Sequence, residues 1–79
     1  MKVIKRDGRA VDYDRAKIQI AIEKANQEVK PKERANKEDI KGIIQYIEEL
    51  NKKRMLVEDI QDIIEEKLME IEKYELAKK

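Results

Sequence analysis

The sequence predicts a small α+β fold: an N-terminal β-hairpin, which a short third strand can join, packed against a bundle of three to four helices. Three observations predict it. Two strand-like runs flank Asp7-Gly8 at the start of the chain, isoleucines recur at helical spacing in the rest, and turn-forming residues separate the helical segments. Seventy-nine residues allow one domain, 1–79, with a modest core; a chain of this size buries only about 60% of the surface that its unfolded form exposes.

Met1–Arg6 and Arg9–Tyr13 alternate as strands do, and Asp-Gly between them is a strong signal for a two-residue type I′ turn. That turn sets Arg6 opposite Arg9 and Ile4 opposite Val11. Ile4, Val11 and Tyr13 then share the core-facing side, with Val3, Lys5 and Ala10 on the other. A lone hairpin is marginal in water, so helices must cover it.

Asp14 is a good N-cap for a first helix, whose stripe is Ile18, Ala21, Ile22, Ala25 and Val29. Pro31 stops that pattern, and Asn36 is the next cap. Ile40, Ile43, Ile44, Ile47 and Leu50 form the cleanest amphipathic repeat, closed by Asn51. Gly42 within it costs about 1 kcal/mol relative to Ala, which the stripe outweighs. Arg54–Val57 is apolar and too short for a helix, which suits an edge strand. Glu58 and Asp59 then match the positive end of a third helix, with Ile60, Ile63, Ile64, Leu68 and Ile71 on its inner face.

Composition excludes several chemistries. The chain has no Cys, His, Ser or Thr, so disulfides, thiol or hydroxyl triads and histidine metal sites are absent. Nothing marks a catalytic residue or a protein-held metal. Charged residues are 47% of the chain, but their sum is +1. With no basic helix face, direct duplex binding is disfavoured, and any basic site must be local. No apolar run is long enough for a bilayer and no signal peptide precedes the first strand, so the reading is cytoplasmic, without a membrane partner.

Lys5, Arg6 and Arg9 crowd the hairpin tip. With 19 Lys and Arg in 79 residues, three within five positions are ordinary, and on count alone they read as a solvated tip. Lys17 shifts the balance. A cation in the first turn opposes the helix dipole, whereas a helix start presents N–H groups that suit phosphate. Arg15 and Lys17 therefore add positive charge to an end that already favours anions, directly behind a basic tip. Neither a Walker loop nor a GxGxxG is present.

"VIKRDGRAVDYDRAKIQIAIEKA" resembles the opening of the ATP-cone domain, and "VEDIQDIIEEKLM" with "YELAKK" resembles its closing helix; together they span essentially the whole chain. The resemblance implies an allosteric module that binds ATP or dATP, with Mg2+ carried by the nucleotide, and has no catalysis of its own. It further implies that Lys5, Arg6 and Lys17 hold phosphates and that Asp7 and Gly8 shape the turn. By the same resemblance, Val3 and Asp14 would lie close to the nucleotide, and Val57 and Gln61 would wall the pocket. Asp7, Asp12 and Asp14 are at most outer-shell contacts to the magnesium.

The wording looks most like the N-terminus of an anaerobic ribonucleoside-triphosphate reductase. The catalytic part of such an enzyme needs cysteines, so the expectation here is its regulatory domain, a stand-alone cone or a design patterned on one. The implied partners are a purine nucleoside triphosphate and the reductase catalytic module or another cone. The alternative is a nucleotide-responsive interaction module of a transcriptional repressor, or a helical scaffold. Family members often carry a hydroxyl near Leu56 or Val57. Both positions are apolar here, which predicts weaker phosphate affinity.

Overall fold

The computed structural model describes all 79 residues. Strands β1 (Lys2–Ile4) and β2 (Ala10–Asp12) form an antiparallel hairpin, followed by helix α1 (Arg15–Asn26) and a 3-10 turn at Pro31–Glu33. Helix α2 (Lys37–Glu49), strand β3 (Arg54–Leu56), helix α3 (Val57–Glu70) and a short helix α4 (Tyr74–Ala77) complete the chain. The sheet order is β2-β1-β3, and β3 runs parallel to β1. The apolar segment after Asn51 is thus a strand at the free edge of the hairpin.

The hairpin register differs by one residue from the sequence expectation. Val3 lies opposite Val11 and Ile4 opposite Ala10. The Lys5 N–H donates to the Arg9 carbonyl at 2.8 Å, and the Gly8 N–H to the Lys5 carbonyl at 2.9 Å. The loop is therefore three residues, Arg6-Asp7-Gly8: a type I turn closed by Gly8 at φ +88°, the bulged form of hairpin turn. Asp7 locks it by accepting from the Arg9 N–H at 3.1 Å. A one-residue slip reverses which side chains of a strand face inward. Val3, not Ile4, is buried, and Lys5 is carried on the face that Val3 shares.

Helix α1 starts where Asp14 caps the Ala16 N–H at 3.0 Å. Helix α2 has a full capping box, with Asn36 and Asp39 each accepting from the other's backbone N–H. Its Ile40, Ile43, Ile44 and Ile47 are all buried, Ile47 to 1% exposure. Burial of each contributes about 1.5–3 kcal/mol. Asn51 takes a left-handed φ of 52° just past the helix, a common way for a helix to stop. Val3 and Met55 of the sheet meet Ile18 and Ile22 of α1, Ile60 and Leu68 of α3 and Leu76 of α4 in one core. No helix is long and apolar enough to cross a membrane.

Candidate functional site

The sheet, the start of α1 and the first two turns of α3 do not close completely. Between them lies a cleft of about 190 Å³ with mainly apolar walls, among them Val3, Val11, Ile18, Ile60 and Ile64. Lys5 of the hairpin, Asp14 and Lys17 of the α1 start, and Val57 and Gln61 of the α3 start also line it. Beside it, at the hairpin tip, an open and polar depression of about 340 Å³ is lined by Lys5, Arg6, Asp7, Arg9, Val57 and Gln61. Lys5, Val57 and Gln61 belong to both, so the two form one continuous surface. Eight of the nine sequence-derived site residues meet here. Gly8 lines neither depression; its positive φ shapes the turn.

The parallel pairing of β1 with β3 accounts for this convergence. It places Ile4 beside Leu56, so α3 begins at Val57 next to the point where β1 runs into Lys5 and Arg6. The hairpin returns through β2 and Asp14 into α1, and this brings Lys17 to the opposite side of the same cleft.

The cations differ in what they touch. Lys2 is paired with Asp12, and that hydrogen bond holds the Asp12 carboxyl below its ordinary range. Arg9 Nε is 2.7 Å from Asp7, and Arg15 Nε is 3.2 Å from Glu48. Arg6 donates to Gln61 at 3.1 Å and lies 3.5 Å from Glu58. Lys5 and Lys17 make no salt bridge. They are the two cations of the cleft that no carboxylate pairs directly, although Asp12 and Asp14 line the same cleft.

Arg15 departs from the sequence reading. Glu48 draws it toward α2, and it lines a separate groove between α1 and α2 with Lys37 and Lys41. At the α1 start Asp14 caps as expected, and its acceptance of the Ala16 N–H leaves one fewer free donor there for an anion. The uncapped start belongs to α3, where Leu56 offers no side-chain cap. Its first N–H groups have no intrahelical partner, and Glu58 and Asp59 stand in its first turn.

Sequence reasoning missed Val11, Tyr13, Ile18, Ala21, Ile60 and Ile64 as cleft residues, because an apolar position on a helical stripe or on the inner face of a hairpin reads as core. Tyr13 donates its hydroxyl to Glu48 at 2.8 Å. Burial, with that hydrogen bond, pushes its pKa up from 10.0 to about 12.

A family model described as the ATP cone domain matches residues 1–79, the whole chain. The chain belongs to the ATP-cone family. ATP-cone domains are nucleotide-binding allosteric regulatory modules, typically of ribonucleotide reductases. They take ATP or dATP as effectors and are not themselves catalytic. The three-stranded sheet and four helices are consistent with the cone fold. No three His, Cys, Asp or Glu side chains cluster in this cone in a way that suits a metal ion.

Proposed function

We propose that this cone is the effector-sensing domain of a ribonucleoside-triphosphate reductase, and that ATP and dATP bind in the cleft between the hairpin and the starts of α1 and α3. The observation that carries the reading is the placement of Lys5 and Lys17, both unpaired, on opposite sides of a cleft with apolar walls. The size supports it, because the cleft and the adjoining depression together fall in the range of about 300–1,000 Å³ usual for small-molecule sites.

The apolar part suits the base, walled by Val3 and Val57. The basic mouth suits the phosphates, which Lys5 and Lys17 contact first and Arg6 meets at the tip. Asp7 and Gly8 hold the turn that presents these cations, and Asp14 fixes the α1 start. Gln61 spans both parts. Mg2+ arrives with the triphosphate, held by phosphate oxygens and water. An effector regulates only by binding two states of its host differently, so the partner that reports binding is the reductase catalytic module or a second cone.

Calorimetric titration with ATP and dATP tests the reading. Micromolar binding, about 8 kcal/mol, is expected, and each charge-assisted hydrogen bond contributes about 1.5–3 kcal/mol of it. Lys5→Ala and Lys17→Ala should each weaken binding at least tenfold, roughly the lower end of that range. Unchanged affinity in both variants removes the site.

A further inference from the structure

Glu58 is the charged neighbour of the site that the nucleotide reading leaves without a role. It stands in the uncapped first turn of α3, where a carboxylate is already favoured by the helix dipole. It lines neither the cleft nor the depression at the tip. Its carboxylate instead lies 3.5 Å from Arg6 Nε. The neighbouring Gln61 accepts from the same guanidinium at 3.1 Å. Arg6 is thus held from α3, across the tip, by two residues three positions apart on one helix face. Lys5 and Lys17 have no such competitor.

The consequence depends on how far a ligand reaches. Lys5 belongs to the cleft and to the tip, whereas Arg6 belongs to the tip and not to the cleft. A phosphate next to a base seated in the cleft meets the free lysines. Arg6 stands beside the cleft, bonded to its Gln61, and a phosphate chain that extends along the tip to Arg6 must compete with a carboxylate already in place. We propose that Glu58 is a selectivity-determining residue of this site: by engaging Arg6 it opposes polyphosphates that reach the hairpin tip, and leaves binding of monophosphates untouched. The proposal rests on the nucleotide reading of the cleft. It makes Glu58 a residue that acts through Arg6 without touching the ligand.

Both side chains are well exposed, at 70% for Arg6 and 62% for Glu58, so the effect is moderate. Exposed ion pairs command about 0.2–1 kcal/mol, which converts to at most about a fivefold change in affinity.

The test is a calorimetric cycle on the full chain, titrating ATP and AMP into the unmodified protein, Glu58→Gln, Arg6→Ala and the double variant. Glu58→Gln is expected to tighten ATP about 1.4- to fivefold and to leave AMP unchanged. In the Arg6→Ala background most of that gain should vanish. An equal gain for ATP and AMP overturns the proposal, as does a gain that survives intact without Arg6, because either reports a diffuse charge effect. A loss of ATP affinity in Glu58→Gln overturns it too, since Glu58 would then orient Arg6 in the ligand's favour. The nitrogen chemical shift of the Arg6 guanidinium, without nucleotide, provides an independent readout. It should move in Glu58→Gln, and no movement rejects the pair itself. Absence of ATP binding to the unmodified chain is a different failure, which removes the nucleotide reading and this proposal with it.

Discussion

Replacing Tyr13 by Phe should leave the domain less stable than the unmodified chain at neutral pH and more stable in strong alkali. At pH 7 the variant loses the 2.8 Å hydrogen bond to Glu48. Glu48 keeps Arg15 at 3.2 Å and its side chain is 35% exposed, so it is not left as an unpaired buried charge. The cost is therefore near the ordinary net value of a hydrogen bond, about 1 kcal/mol. Alkali reverses the order. The folded pKa lies at about 12 against 10.0 unperturbed, so between these values the unfolded chain has released a proton that the native state retains. Stability that depends on the neutral phenol is complete below pH 10 and is lost as pH rises toward 12. The full shift corresponds to at most about 3 kcal/mol, and solvent screening lowers it because the phenol is only partly buried. Every other side chain is common to both proteins, so the difference between the two isolates Tyr13. Urea denaturation from pH 7 to 12 should give curves that cross between pH 10 and 12. Curves that remain parallel throughout would refute the account of Tyr13.

Two further substitutions probe the frame of the site. Ile44→Ala, at a position only 3% exposed, should cost about 2–5 kcal/mol, out of a total that for a domain of this size is about 4–12 kcal/mol. Urea denaturation checks it, and a loss below about 1 kcal/mol would contradict the packing described for α2. Gly8→Ala meets no atom within 4 Å of the added Cβ but must hold φ at +88°. It should cost about 1–2 kcal/mol, lowering Tm by several degrees, and Gly8→Asn should cost less because Asn tolerates the left-handed region. Equal melting temperatures for the Ala variant and the unmodified chain would dismiss the bulged turn.

The helix starts and most of the apolar stripes were legible because the apolar residues keep one period and the starts carry strong local signals, but α1 ends at Asn26, before Val29, and Ile71 lies past the end of α3 and is exposed. Asp14 and Asn36 cap where the sequence placed them, and Asn51 ends α2. The hairpin register was not legible. Asp-Gly fits the centre of a two-residue turn, and it fits equally well the end of a three-residue turn with a bulge. Only the competition between Val3 and Ile4 for the core decides, and both are good strand residues. Val3 wins by facing Val11 across the sheet and packing toward the helices. That choice also sets Lys5 on the cleft side. Helix α4 was barely visible, because its anchoring rests on Leu76, buried to 2%, and on a Lys73 hydrogen bond to the Lys32 carbonyl. Arg15 was misplaced for a different reason. Local sequence shows that a cation sits near a helix start, but which way it turns depends on Glu48, more than thirty residues later.

Amide shift mapping by NMR during titration with ATP tests the central claim most directly. Changes should concentrate at Val3–Gly8 of the hairpin, at Asp14–Ile18 of α1 and at Val57–Gln61 of α3. Changes centred instead on the groove formed by Arg15, Lys37 and Lys41 between α1 and α2 would contradict it.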